Sequence, residues 1–397
     1  MNPVLQQALE RLAEARAGTG DPPSFSLWEL RATLRGEVEG GTASVLSVAS
    51  DGGWRVEWRS ERERRWGFAV GAGPGAALRA GRRTPSRSSL DPRGWSAALS
   101  AMEAALRLEF RSLLSAADVR GVARDTGSAP PARVAVEIHR RWRAWRRGGA
   151  PPRHAEDRGF HLVPEASGHG GSGAGSARSG RRAAWTGPLV LLSPAAGWWV
   201  HEMGHAALES APRIGPVTAS HGLAIVDDPA AGPWPAGFAI DDAGEPSRAA
   251  ILWNAAGPQA PARRGRRRRP SVREAAEGAL SVTRLVGDVA AGIGWSDLPE
   301  GTPVAADVRA GRYDPPTGLI ALELEGVGSV RGGTHRPGSG RAVVLVEAAE
   351  GWRGLRALAT DSRGGDGTFA TCSRLGAMVP VMVGAPTIVL DPVQVIP

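Results

Sequence analysis

Apolar residues recur along this chain at two spacings, and each spacing predicts a different kind of element. Residues 3 to 17 place Val4, Leu5, Ala8, Leu9, Leu12 and Ala13 three and four apart, the period of a helix with one buried face. Residues 94 to 116, GWSAALSAMEAALRLEFRSLLSA, carry the same period over a longer stretch. After the break at Gly20–Pro23, TASVLSVAS-DGG-WRVEWRS reads as two strands around a tight Asp-Gly turn, and RRWGFAVGAG as a third strand. VAVEIHRRWRAWRR reads as a strand running into a basic segment. From GPLVLLSP onward the pattern is mostly β: GLIALELEGVGSV, GRAVVLVEAA and VPVMVGAPTIVLDPVQVI are apolar, β-branched and bounded by Gly and Pro.

These elements predict an α+β protein in three parts. Residues 1–120 form an N-terminal α/β domain, 121–185 a connecting segment, and 186–397 a mainly antiparallel β domain with one short helix around His201. The connecting segment contains SGHGGSGAGSARSGRR (167–182), a Gly/Ser-rich loop in which His169 is expected to be solvated.

Composition narrows the function. The 397 residues suffice for two cores, and 54 Gly with 31 Pro fit many turns and short strands. The formal charge is +8, carried by arginine with no lysine, which reads first as a GC-rich coding bias and only then as a sign of a nucleic-acid partner. The run RRGRRRRP (263–270) is most simply a solvated loop; acidic peptide, a partner subunit or nucleic acid are its other readings. The single cysteine, Cys372, excludes an internal disulfide. No apolar run is long enough to span a bilayer, and the N-terminus lacks the apolar core of a signal peptide, so a cytoplasmic protein with no membrane partner is expected.

The chemistry is concentrated in GWWVHEMGHAALES (197–210). On a helix each residue turns about 100° and rises about 1.5 Å, so His205 lies one turn above His201 and both imidazoles can reach one metal ion. Glu202 falls off that axis, close enough to act on water at the site. Gly204 weakens the helix and Pro212 limits it. A catalytic zinc takes three protein ligands, which leaves a third to be found. Glu209, one turn further up, is one candidate, either as a ligand or as a support to His205; Cys372 is the other.

HEMGHAALE, the block VDDPAAGPWPAGFAIDDAGEPSRAAILWNAAG (226–257) and CSRLGAMVPVMVGAPTIVL (372–390) together resemble the TldD/PmbA metallopeptidase family in order and spacing. That family shows HE-x-x-x-H-x-x-E, a VDD…AIDDEG-P block and a terminal CG-x-x-GQ-x-VPVGVGQPT block. The match needs no gap from Cys372 to Thr387; it covers residues 186 to 397, with RRWGFAVG as its trace in residues 25 to 120. The resemblance implies His201, His205 and Cys372 as zinc ligands, Glu202 as general base and Glu209 as a supporting residue. It also implies the catalytic TldD-type subunit, since the partner-type subunit lacks the metal motif.

Two departures stand out. The family places its second histidine five residues on, and here the spacing is four, the simpler geometry for a regular helix. The terminal block reads CSRLGAM, and Met382 stands where the family has Gly, so altered peptide selectivity is expected.

The resemblance implies a zinc peptidase that takes extended, unfolded peptides as an added strand. It would act with a TldE/PmbA-like partner in a heterodimer, or as a homodimer, including in leader-peptide removal during peptide natural-product maturation. His221, in ASHGLAIVDD, is a candidate oxyanion or substrate contact, or a strand-edge polar residue. The Asp pairs at 227–228 and 241–242 are expected to close turns rather than to hold a second metal. Two other classes remain: a catalytically silent scaffold subunit, and a basic nucleic-acid-associated protein.

Overall fold

The computed structural model describes residues 3–14, 25–39, 42–59, 64–69, 92–115, 133–147, 150–164, 184–219, 221–233, 235–261, 265–268, 277–287, 293–358, 367–374 and 377–396. The Gly/Ser-rich stretch 167–182, with His169, lies outside the described residues. The chain is a mixed α+β protein built mostly of strands. It divides into two compact units.

The first unit comprises Met1–Ala174, Pro233–Pro246 and Arg267–Glu277. Its sheet has the order β3 (Arg64–Ala69), β2 (Thr42–Arg59), β1 (Phe25–Glu39), β4 (Arg133–Arg147), β5 (Arg153–Pro164), with every pair antiparallel. Helices α1 (Pro3–Glu14) and α2 (Pro92–Ser115) cover one face. Ala98, Met102, Leu106 and Phe110, four apart along α2, meet Leu30, Leu34, Ile138 and Trp142 in one buried cluster. The helical period of both segments is therefore the period of burial.

Two expectations change here. Asp51-Gly52 does not turn: β2 runs straight through it, with Arg31 opposite Asp51 and Leu30 opposite Gly52. The reversal falls between Glu39 and Thr42 instead. A partner strand of 15 residues supplies a ladder along this whole length, and those bonds outweigh a local turn preference.

The basic end of VAVEIHRRWRAWRR, in turn, is strand throughout, and Arg141, Arg143 and Arg146 within it are buried, while Arg140 is half-buried and Arg147 exposed. Trp142 and Ala144 face the helices, so the alternating Arg141 and Arg143 face the other side. There Arg141 pairs with Asp157 at 2.8 Å and with Asp242, while Arg143 donates to the carbonyls of Ile240 and Asp241. Burial opposes the charge of Arg141, but Asp157, Asp242 and Glu29 outweigh it and raise its pKa above the usual guanidinium value. The charges are thus the adhesive for residues 240–245 of the same unit.

The second unit comprises Gly175–Gly232, Ser247–Arg266 and Gly278–Pro397. One sheet runs β16 (Thr368–Arg374), β17 (Ala377–Gly384), β10 (Val282–Val286), β7 (Ala224–Asp227), β8 (Ala250–Asn254), β9 (Gly257–Pro258); only β10–β17 is parallel. The other runs β11 (Pro303–Ala305), β6 (Trp185–Leu191), β18 (Ile388–Ile396), β14 (Thr334–Glu347), β13 (Leu319–Arg331), β12 (Asp307–Asp314), with β15 (Leu355–Ala357) on β18. β11 also pairs with β13, so five of these strands close on themselves. The β13–β14 hairpin turns at Gly332 and Gly333, both left-handed (φ 57° and 67°), the pair of conformations that a two-residue hairpin requires.

Helix α3 (Ser193–Ile214) is buried on nearly every side and has 22 residues, longer than the short helix expected around His201. Pro194 sits in its first turn, where the missing N–H costs nothing, and Ser193 Oγ donates to the Ala385 carbonyl at 2.9 Å. Pro212 falls only two residues before the end, where Gly215 (φ 70°) returns its N–H to Ala211. Gly197 has a packing reason: a Cβ there would stand 3.2 Å from the Val383 carbonyl carbon of β17. The hairpin β16–β17 therefore lies directly against α3. No helix among the described residues is long and apolar enough to cross a membrane.

Candidate metal centre

α3 presents His201, Glu202, His205 and Glu209 toward a cleft of about 600 Å3 in the second unit, and β16 brings Cys372 to the same cleft. Among the described residues, His201, His205 and Cys372 form a group whose ligand atoms all lie within 4.8 Å of one another. His205 Nε2 is 3.2 Å from Cys372 Sγ. The two imidazoles are perpendicular with centroids 4.8 Å apart. A tetrahedral zinc with usual bond lengths sets its nitrogen and sulfur ligands about 3.3–3.6 Å apart. One edge already has that length, and the widest must shorten by about 1 Å, within reach of side-chain rotation. Two imidazoles and a thiol are also a donor set that suits zinc.

The surroundings orient these groups. Glu209 Oε1 lies 3.1 Å from His205 Nδ1, which directs Nε2 toward Cys372. Thr283 Oγ1, on β10, lies 3.4 Å from His201 Nδ1 and plays the matching part there. Without a metal, burial works against a charge on His205, but the Cys372 sulfur, Glu209 and Glu202 outweigh it and raise its pKa to about 9. Burial also raises the Glu202 pKa, against the opposing pull of His205 and of a Tyr313 backbone hydrogen bond. Glu202 is only 5 % exposed. It fits because β12 has Gly311 beside it: a Cβ at 311 would meet Glu202 Oε1 at 3.0 Å.

Several residues around the group carry no motif of their own in the sequence. Trp198, within GWWVHEMGHAALES, stands edge-on to His201, while Thr283, Gly311 and Tyr313 border the group without belonging to any recognisable motif. Their only signal was a β pattern around 282–286 and 307–314. His221 does not line the cleft: its Nε2 is 2.8 Å from the Trp352 carbonyl, and its ring stands edge-on to Trp352.

The Asp pairs are framework. Asp227 accepts the N–H groups of Ser281 and Val282 and pairs with Arg266; Asp241 accepts those of Ala243, Glu245 and Arg267. Within the arginine run, the solvated-loop expectation fails at two positions. Arg266 is 2 % exposed on Asp227, and Arg268 is 6 % exposed, donating to the Pro235 carbonyl. Buried carboxylates and carbonyls need donors, and the guanidinium supplies several in one plane. Residues 263, 264 and 269 lie outside the described residues.

Fold and site together define a strand-rich α+β protein with a helix-borne histidine pair and a distant cysteine able to share a metal ion. The chain adopts the fold of the TldD/TldE proteins, in keeping with the resemblance of its three sequence blocks. TldE from Thermococcus kodakarensis superposes with a TM-score of 0.57 at 12 % identity, covering 94 % of this chain and 96 % of that one. A candidate modulator of DNA gyrase from Thermotoga maritima gives 0.59 at 10 % identity, covering 98 % and 99 %. A second such protein, from Bacteroides thetaiotaomicron, gives 0.54 at 12 % identity, covering 99 % and 98 %. No protein-family model and no curated protein sequence matches the chain.

Proposed function

We propose that this chain is a zinc-dependent metallopeptidase that hydrolyses extended, unfolded peptides. The observation that carries the reading is the convergence of His201, His205 and Cys372 within 4.8 Å, with Glu202 lining the same cleft. His201 and His205 would hold the ion as neutral imidazoles and Cys372 as a thiolate. A zinc ion held there would supply Lewis-acid polarisation of the scissile carbonyl and acidify water at the site.

Glu202 is the general base. Its raised pKa makes it more basic than a solvated carboxylate, and so better matched to taking a proton from the attacking water near neutral pH. The same carboxyl then delivers the proton to the leaving amine nitrogen. Glu209 keeps the His205 ring in one orientation, and the Tyr313 N–H holds the base in place. The cleft lies between two terminal strands, β12 of one sheet and β16 of the other, each with an edge to offer an extended peptide backbone.

A TldE-like partner subunit, cytoplasmic location and a role in leader-peptide removal complete the proposal, supported by the resemblance of the three sequence blocks and by the fold shared with a TldE. That likeness also favours a second reading, a silent scaffold subunit. Metal analysis with a peptidase assay on unfolded peptides separates the two. The enzyme should hold about one zinc per chain, and Glu202→Gln should lower hydrolysis roughly 100- to 10,000-fold with the metal retained. A folded protein that takes up no zinc supports the scaffold. The gyrase-modulator name of two similar structures gains nothing from Arg266 and Arg268, whose side chains are buried.

A further inference from the structure

The cleft has a charged mouth that the hydrolytic chemistry does not use. Arg309 and Arg312, both on β12, line it alongside Glu202, His205 and Cys372, and both are exposed. Among the described residues neither guanidinium makes an ion pair or a hydrogen bond.

The backbone places Arg309 by a specific device. Val308 pairs with Leu324 and Ala310 with Glu323, so Arg309 is the extra residue of a β-bulge. A bulge breaks the alternation of a strand and re-aims the side chain it inserts. Beyond it, Gly311 and Tyr313 face inward opposite Leu322 and Ile320, while Arg312 stands on the other side opposite Ala321. The strand thus sets Gly311 and the Tyr313 N–H beside the base and places Arg309 and Arg312, both exposed, among the residues that line the cleft.

Three of the neighbouring carboxylates are otherwise engaged. Glu209 is held by His205, Glu202 by the Tyr313 N–H, and Glu325 by Arg341 at 3.2 Å. Glu323 stands opposite Ala310 without an ion pair to either arginine.

We infer that Arg309 and Arg312 form a carboxylate-recognition site that selects peptides carrying an acidic group beside the scissile bond. The inference rests on the peptidase reading for the identity of the ligand. Guanidinium and carboxylate match in planar, two-bond geometry, and an uncommitted arginine at a cleft mouth loses little hydration until a partner arrives. The carboxylate can come from an Asp or Glu side chain or from the peptide's own C-terminus, and both present the same two oxygens.

Binding separates this inference from catalysis. Full-length, zinc-loaded Glu202→Gln protein is titrated with three fluorescent unfolded peptides of one backbone. The first has internal Glu residues and an amidated C-terminus, the second is neutral with a free C-terminus, and the third is neutral and amidated. At least one carboxylate-bearing peptide should bind roughly tenfold tighter than the third, and which one does so identifies the source. Adding Arg309→Gln and Arg312→Gln to that protein should remove the difference. Equal affinity for all three peptides, binding by none, or a preference that survives both substitutions overturns the inference. If the preference is present while wild-type protein hydrolyses none of the peptides, the catalytic reading fails and the recognition site stands.

Discussion

His205 Nε2 and Cys372 Sγ stand 3.2 Å apart although 167 positions separate the two residues in the chain. α3 carries the histidine and the edge strand β16 carries the sulfur, so the contact exists only when the second unit is folded. Cys372→Ser should therefore lower zinc affinity by more than the roughly 10- to 100-fold that loss of a supporting residue costs. Glu209→Gln, which weakens only the support of His205, should fall within that range. Competition with a chelator, followed by metal analysis, measures both.

Gly311 sets the position of the base. A methyl group there would meet Glu202 Oε1 at 3.0 Å and Cγ at 3.2 Å. Because the carboxylate end can move, Gly311→Ala should fold and bind metal normally. Its kcat should fall about tenfold or more through displacement of the base. Unchanged kcat with unchanged metal content would mean that Glu202 does not act from this position.

The pH dependence of the metal-free protein follows from His205. Its folded pKa is raised to about 9, with the Cys372 sulfur, Glu209 and Glu202 overcoming the cost of burial. A raised value means that folding favours the imidazolium. Its contribution is full below an unfolded pKa of about 6.5 and is lost as pH rises through about 9. Chelator-treated wild type should thus lose its melting-temperature advantage over His205→Gln across that window. With saturating zinc the loss should disappear, because binding displaces the proton. Melting curves at half-unit pH steps, with and without zinc, test this.

In the first unit, Arg141 has no exposed surface and pairs with Asp157 and Asp242. Removing one partner of such a group leaves charge uncompensated, so Asp242→Ala should destabilise this unit by about 3–5 kcal/mol. Denaturant unfolding followed by tryptophan fluorescence reads it. A change below about 1 kcal/mol would mean that the pairing contributes nothing beyond a surface ion pair.

Sequence alone determined what depends on local period. The helices over α1 and α2, the β character of GLIALELEGVGSV and GRAVVLVEAA, and the placing of His201 and His205 one turn apart all follow from spacing within a few residues. Composition and pattern could not say that Asp51-Gly52 would be carried straight through a strand, or that Arg141 and Arg143 would be buried beside Asp157 and Asp242. Nor could spacing choose between Glu209 and Cys372 as company for the histidines; only the terminal-block resemblance pointed to the cysteine. Tertiary structure puts both beside His205, one on each ring nitrogen. The physical reason is range. A period records which face of one element will be buried, whereas what it is buried against depends on strand order and on which distant segments share a sheet. Among the described residues, that order is what brings Cys372, Thr283, Gly311 and the two arginines of β12 around a single turn of α3.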